Sequence, residues 1–148
     1  MKTPLRPTLP EGRGSDMEKS SLDTNVLLRL LLNDLPGQHA QAKALVQQPG
    51  KDFLVSDTAI IELAFVLERH YGFTRAQVKE AIDALATISG ISFNTGLMNE
   101  ALSAFIEHPK LSFEDYYLAQ AAADQGAAPL WTFDKKLAAQ SEHAQIVP

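Results

Sequence analysis

Cysteine is absent from the 148 residues, which excludes disulfides, thiolate zinc sites and cysteine nucleophiles together. Histidine is sparse. His39, His70, His108 and His143 stand apart, with no pair at the spacing a zinc site uses. Long apolar runs are also missing. The longest, VLLRLLL and AIIELAFVL, are short and each is broken by a charge, so neither can span a bilayer. Positive charge is in deficit: 13 Lys and Arg face 18 Asp and Glu, a net of −5. A simple basic groove for nucleic acid is therefore not expected, although bound cations can reverse the local sign at a phosphate site. The glycine patterns of a phosphate-binding loop or a dinucleotide fold are absent, as is the G-x-S-x-G elbow of a serine hydrolase. The opening stretch, MKTPLRPTLPEGRGSD, holds three prolines and no apolar segment of the kind a secretory leader carries, so a cytoplasmic location is expected.

What is present reads as a globular chain long enough to bury a core, with 45% hydrophobic and 21% charged residues. Residues 1–16 read as a flexible N-terminal extension, and residues 17–148 as one domain. Within that domain short β-type runs alternate with helical patterns. Strands are expected at Ser20–Leu22, Phe53–Val55, Ile91–Phe93, Leu130–Phe133 and Ile146–Val147. Helices are expected over Val26–Asn33, Gln38–Gln48, Ser56 to His70, Thr74 to Ile88, Leu97–Glu107, Ser112–Gln125 and Asp134–Ala139. Strands separated by helices mean βαβ units and a mostly parallel sheet. Ligands of such folds bind beyond the carboxyl ends of the strands, where helices begin.

Four carboxylates sit in apolar company near such places. Asp23 lies where a strand gives way to a helix, in Leu22-Asp23-Thr24-Asn25-Val26. Glu62 interrupts the apolar run Ile60–Leu67, pointing away from the Ile60, Leu63, Ala64, Leu67 face and toward the side of Phe65, Val66 and Arg69. Asp115 opens a helix in Phe113-Glu114-Asp115-Tyr116, and Asp134 ends a strand in Thr132-Phe133-Asp134. Taken singly, the aspartates are accounted for as helix caps, with Ser112 and Asp115 fitting a capping box. Glu62 is accounted for as a solvated charge beside Arg69. Taken jointly, four like charges brought to one place would repel and raise one another's affinity for protons unless a hard cation neutralised them. Mg²⁺ or Mn²⁺, with oxygen ligands, suits that set and can serve displacement at phosphorus.

These segments resemble the PIN-domain family, and most closely its VapC-type toxin ribonucleases. The matching pieces are Asp23-Thr24-Asn25-Val26-Leu27-Leu28-Arg29, Ile61-Glu62-Leu63 with Val66-Leu67 and Tyr71-Gly72, Phe113-Glu114-Asp115, and Thr132-Phe133-Asp134. They occur in the family's order, across about residues 18–148. The resemblance implies a PIN-like three-layer α/β/α sandwich with a mostly parallel central sheet. It also implies a site in which Asp23, Glu62, Asp115 and Asp134 hold Mg²⁺ or Mn²⁺ and carry catalysis. Asn25 and Thr132 fall at secondary polar positions, while Glu114 adjoins the site in sequence. The implied activity is hydrolysis of RNA by a type II toxin, with a VapB-like antitoxin and a second copy of the chain as partners. One departure is visible: the family's first strand is usually apolar, whereas Lys19-Ser20-Ser21 is polar.

Arg29, Arg69, Lys135 and Lys136 lie near the motifs, either as solvated charges or as contacts to RNA phosphates. Apolar Leu27, Leu31, Phe65 and Val66 are candidates to receive an antitoxin segment. Three other readings share parts of the pattern. A PIN nuclease of RNA processing keeps the site without toxicity. A catalytically silent PIN-like module keeps only the fold. A receiver-like signalling domain needs a phosphoacceptor aspartate after a middle strand, where this chain has Phe93-Asn94.

Overall fold

A computed structural model describes residues 17–148. The extension assigned to residues 1–16 lies outside the described residues. The elements run β1 (Glu18–Ser21), α1 (Thr24–Leu31), α2 (Pro36–Val46), β2 (Lys51–Leu54), α3 (Asp57–Arg69) and α4 (Arg75–Ala86). They continue with β3 (Ile91–Ser92), α5 (Thr95–Glu107), α6 (Phe113–Asp124), β4 (Leu130–Thr132), α7 (Lys135–Gln140) and β5 (Ala144–Ile146). Each expected element is present, displaced by a few residues at its ends.

The helix boundaries follow from capping chemistry. Ser56 accepts the Ala59 N–H at 3.1 Å to open α3. Thr74 and Gln77 form a reciprocal capping box at the start of α4. Ser112 accepts the Asp115 N–H at 3.2 Å to open α6. Pro36 occupies the first turn of α2, where its missing N–H costs nothing. Past α6 the chain needs a left-handed residue, and Gly126 supplies it with φ +69°.

The strands are parallel throughout, and each parallel connection passes through helix. Their ladders fall into two groups among the described residues, β1-β2-β3 and β4-β5. Glu18 pairs in register with Lys51, and Leu130 with Ala144. All four residues of β1, at the edge of its ladder, are exposed. The polar Lys19-Ser20-Ser21 is compatible with that edge position, and the Glu18–Lys51 ion pair fastens it to β2. Lys51 holds the Glu18 carboxyl below its usual range.

The core lies against β2 and the helices. Phe53, in the middle strand, is buried with Ile60, Leu63 and Leu67 of α3, Val78, Ile82 and Leu85 of α4, and Met98, Leu102 and Phe105 of α5. Phe105 meets Phe113 edge to face with centroids 5.6 Å apart, which fixes the start of α6. With Ala59, Ile60, Leu63, Ala64 and Leu67 all buried, α3 is oriented with Glu62 outward, as its helical phase requires.

Candidate functional site

Asp23 is the N-cap of α1. Its Oδ1 accepts the Val26 N–H at 3.0 Å, while the carboxylate as a whole stays exposed. The next residue, Thr24, reaches across to α3. Its Oγ1 donates to Glu62 Oε1 at 2.9 Å, with the Ala59 carbonyl a second acceptor at 3.2 Å. Asp23 and Glu62, distant in sequence, thus become two walls of one cavity of about 750 Å³. Thr24, Asn25, Leu28, Arg29, Val66, His70 and Tyr71 complete its lining.

Behind this wall lies a polar network. Arg29 is buried, and its guanidinium meets Asp34 Oδ1 at 3.0 Å and donates to Tyr71 Oη at 3.2 Å. Tyr71 donates in turn to Asp34 Oδ2 at 3.1 Å, and His39 Nδ1 donates to the Arg29 carbonyl at 2.7 Å. Arg29 is therefore not a solvated charge: its guanidinium, part of the cavity lining, ties the end of α1 to the segment after α3. Leu27 also departs from expectation. It is completely buried in the core and cannot receive a partner, whereas Phe65 is half exposed and Val66 and Leu31 lie partly open.

A second cavity, of about 660 Å³, opens between α3 and α6. Glu62 lines it too, together with Phe65, Glu68, Arg69, Lys110, Ser112, Glu114 and Tyr117 among others. Arg69 lies over the Phe65 ring, 5.4 Å from its centroid, and makes no ion pair with Glu62. Tyr117 closes this region from the α6 side by donating to Asp57 Oδ2 at 2.6 Å, which pushes the phenol up to about 12. Burial raises Tyr116 likewise.

The remaining two carboxylates lie at the starts of α6 and α7. Asp115 is half-buried in the first turn of α6, its N–H on Ser112. Asp134 caps α7, its Oδ1 accepting from the Lys136 and Leu137 N–H groups at 2.9 and 3.1 Å, and its own N–H rests on Thr132 Oγ1 at 2.9 Å. Lys135 and Lys136 are exposed beside it. Neither Asp115 nor Asp134 lines the Asp23–Glu62 cavity. Among the described residues no three His, Cys, Asp or Glu side chains form a group able to hold a metal ion. Asp23 and Glu62 thus share one cavity, whose lining does not include Asp115 or Asp134. Two carboxylates with an amide and a hydroxyl nearby still fit a hard cation, since Mg²⁺ commonly takes one or two carboxylates and fills its other positions with water.

The model of the PIN domain family matches residues 21–142. This chain belongs to the PIN domain family. The α/β fold with parallel strands is the family's, and the match spans every element from the end of β1 to the end of α7. No curated protein matches the chain. Among solved structures it is similar to the crystal structure of Mycobacterium tuberculosis VapC20, a sarcin–ricin loop cleaving toxin. That likeness has 22% identity and a TM-score of 0.37, covering 80% of this chain and 92% of the other. In this PIN domain, Thr24 and Tyr71 brace the first cavity, a part that residue-type reasoning did not give them. Both stand inside the matching motifs, Asp23-Thr24-Asn25 and Tyr71-Gly72, which is where a signal for them lay.

Proposed function

We propose that this PIN domain is a divalent-metal-dependent endoribonuclease acting as the toxin of a type II toxin–antitoxin pair in the cytoplasm. The observation that carries this reading is the shared cavity of Asp23 and Glu62, where the Thr24 hydroxyl, next to Asp23 in the chain, donates to Glu62. Asp23 spends Oδ1 on the helix cap, and its other carboxylate oxygen has no hydrogen bond among the described residues. Glu62 is placed by a buried helix face and by Thr24. These two would hold Mg²⁺ or Mn²⁺, with Asn25 beside them; Asp115, Asp134 and Thr132 belong to the polar set that the sequence motifs imply. When bound, the cation would supply Lewis acidity toward a phosphodiester and a more acidic water. The chain's own contribution is to fix the two carboxylates and to keep the Arg29 charge from collapsing onto them, because Asp34 and Tyr71 already engage it. An open cavity favours single-stranded or looped RNA, whose backbone can be splayed into it.

A VapB-like antitoxin would use the partly open apolar residues Leu31, Phe65 and Val66, with a cation directed at Asp23 and Glu62. A homodimer belongs to the same proposal. The deciding experiment incubates the purified chain with RNA in Mn²⁺ and in EDTA, beside Asp23→Asn. Cleavage is expected in Mn²⁺ alone and only by the wild type. Growth arrest on induction, relieved by Asp23→Asn and by the adjacent small gene, distinguishes a toxin from a processing nuclease. Intact RNA in every lane leaves the silent-module reading.

A further inference from the structure

The C-terminal ladder carries an exposed surface outside the lining of both cavities. Along Leu130, Trp131, Thr132 and Phe133 the odd residues are exposed and the even ones half-buried, the period of an extended chain with one face toward the protein. Trp131 is 55% exposed and Phe133, just past the strand, 82%, which leaves two large aromatic side chains open to water close together in the chain. Lys135 and Lys136 follow at once, both exposed, and neither joins an ion pair among the described residues. The adjacent carboxylate, Asp134, is turned toward the backbone of its own helix. In a chain of net charge −5, this is a local surplus of positive charge joined to bare aromatic rings.

We propose that Trp131, Phe133, Lys135 and Lys136 form a stacking platform for single-stranded RNA. Every base has a π face that an exposed aromatic ring can cover, and the intervening phosphates then meet the lysines. Charge complementarity selects this occupant over a second copy of the chain. A two-fold contact through this patch would set the lysines of one copy against the same basic patch on the other, with only Asp134 to answer them. The proposal deepens and rests on the nuclease reading, since it names the groups that would hold the strand outside the Asp23–Glu62 cavity.

Trp131 is the only tryptophan, so its fluorescence reports on this patch and nothing else. The experiment titrates the full chain with a short single-stranded oligoadenylate in EDTA, where cleavage plays no part. Stacking should quench Trp131. Phe133→Ala should weaken binding by at least about fivefold, the loss of one stacked base. The Lys135→Ala, Lys136→Ala double variant should lower the dependence of log affinity on log salt by about 0.7 for each phosphate no longer neutralised. Labelled-RNA anisotropy with Trp131→Ala provides the reading that does not depend on the probe. Unchanged fluorescence with RNA overturns the platform, as does equal affinity in Phe133→Ala. A blue shift that grows with protein concentration and ignores RNA also overturns it, assigning the patch to a second copy. RNA cleavage without quenching removes this proposal alone, whereas quenching without cleavage in Mn²⁺ removes the nuclease reading alone.

Discussion

The acidic residues from the two halves of this chain meet different surroundings. Asp23 and Glu62 face one cavity, joined through Thr24 and backed by the buried Arg29–Asp34–Tyr71 network. Asp134 caps α7 with its carboxylate, and Asp115 sits in the first turn of α6, its N–H held by the cap residue Ser112. The contrast shows that capping and site-building are not alternatives. Asp23 does both, with one oxygen on Val26 N–H and the carboxylate open to the cavity. Asp23 shares its cavity with Glu62 of α3, whereas the hydrogen bonds of the Asp134 carboxylate run to the first turn of its own helix.

The sharpest way to break this comparison is to neutralise each acid in turn. Asparagine caps helices as well as aspartate, so Asp23→Asn and Asp134→Asn remove charge and leave α1 and α7 intact. RNA cleavage in Mn²⁺ should fall by more than about a hundredfold for Asp23→Asn and Glu62→Gln, and by about tenfold for Asp115→Asn and Asp134→Asn. Equal losses at all four would merge the two halves into one site. No loss at Asp115 and Asp134 would confine it to the first cavity.

Cation binding should next appear as stability. An ion that binds only the folded chain stabilises it by about 2.7 kcal/mol at a hundredfold excess over its Kd. Thermal melting should therefore move up with Mn²⁺, less so in Asp23→Asn, and remain responsive in Asp134→Asn. A melting temperature indifferent to Mn²⁺ argues against the Asp23–Glu62 pair as a cation site.

The network behind the first cavity should matter without any metal. Arg29→Met leaves Asp34 and Tyr71 without their cationic partner, and Asp34 is partly solvated, so the loss is moderate: about 1–2 kcal/mol in urea unfolding. A midpoint equal to the wild type would mean that the network contributes nothing to the stability of that wall.

The smallest effect concerns the tie between the halves. Tyr117 donates to Asp57, so the native state favours its neutral phenol and raises its ionisation from 10.0 to about 12. That contribution to stability is complete below pH 10 and lost as pH rises toward 12. Tyr117→Phe should accordingly show a shallower loss of stability in this interval. An unchanged slope would remove Tyr117 as its source.

Local chemistry makes most of the fold legible. Thr74, Ser56 and Ser112 announce their helices, Gly126 ends one, and the apolar phase of Ile60, Leu63, Ala64 and Leu67 forces Glu62 outward. The two separate ladders are not legible, because which strands pair depends on contacts far apart in sequence that no local pattern encodes. Arg29 escapes a local reading for a related reason. A basic residue at the end of an amphipathic helix ordinarily meets water, and only the return of Tyr71 from the end of α3 encloses it. Leu27 reads as available because a strongly apolar helix gives no sign of which of its leucines is innermost. The Asp23–Glu62 pairing is expected from the family motifs, and the fold realises it through Thr24.

Glu62 belongs to the walls of both cavities. Two ligands that each touch one carboxylate are thermodynamically linked, and the linkage is reciprocal. If a cation beside Asp23 changes the affinity of the α3–α6 groove for its occupant by some factor, that occupant changes the cation's affinity by the same factor. A partner seated only in the groove, never touching Asp23, would thereby tune metal occupancy across the width of a single helix. Titrations run in the two directions must return one coupling constant.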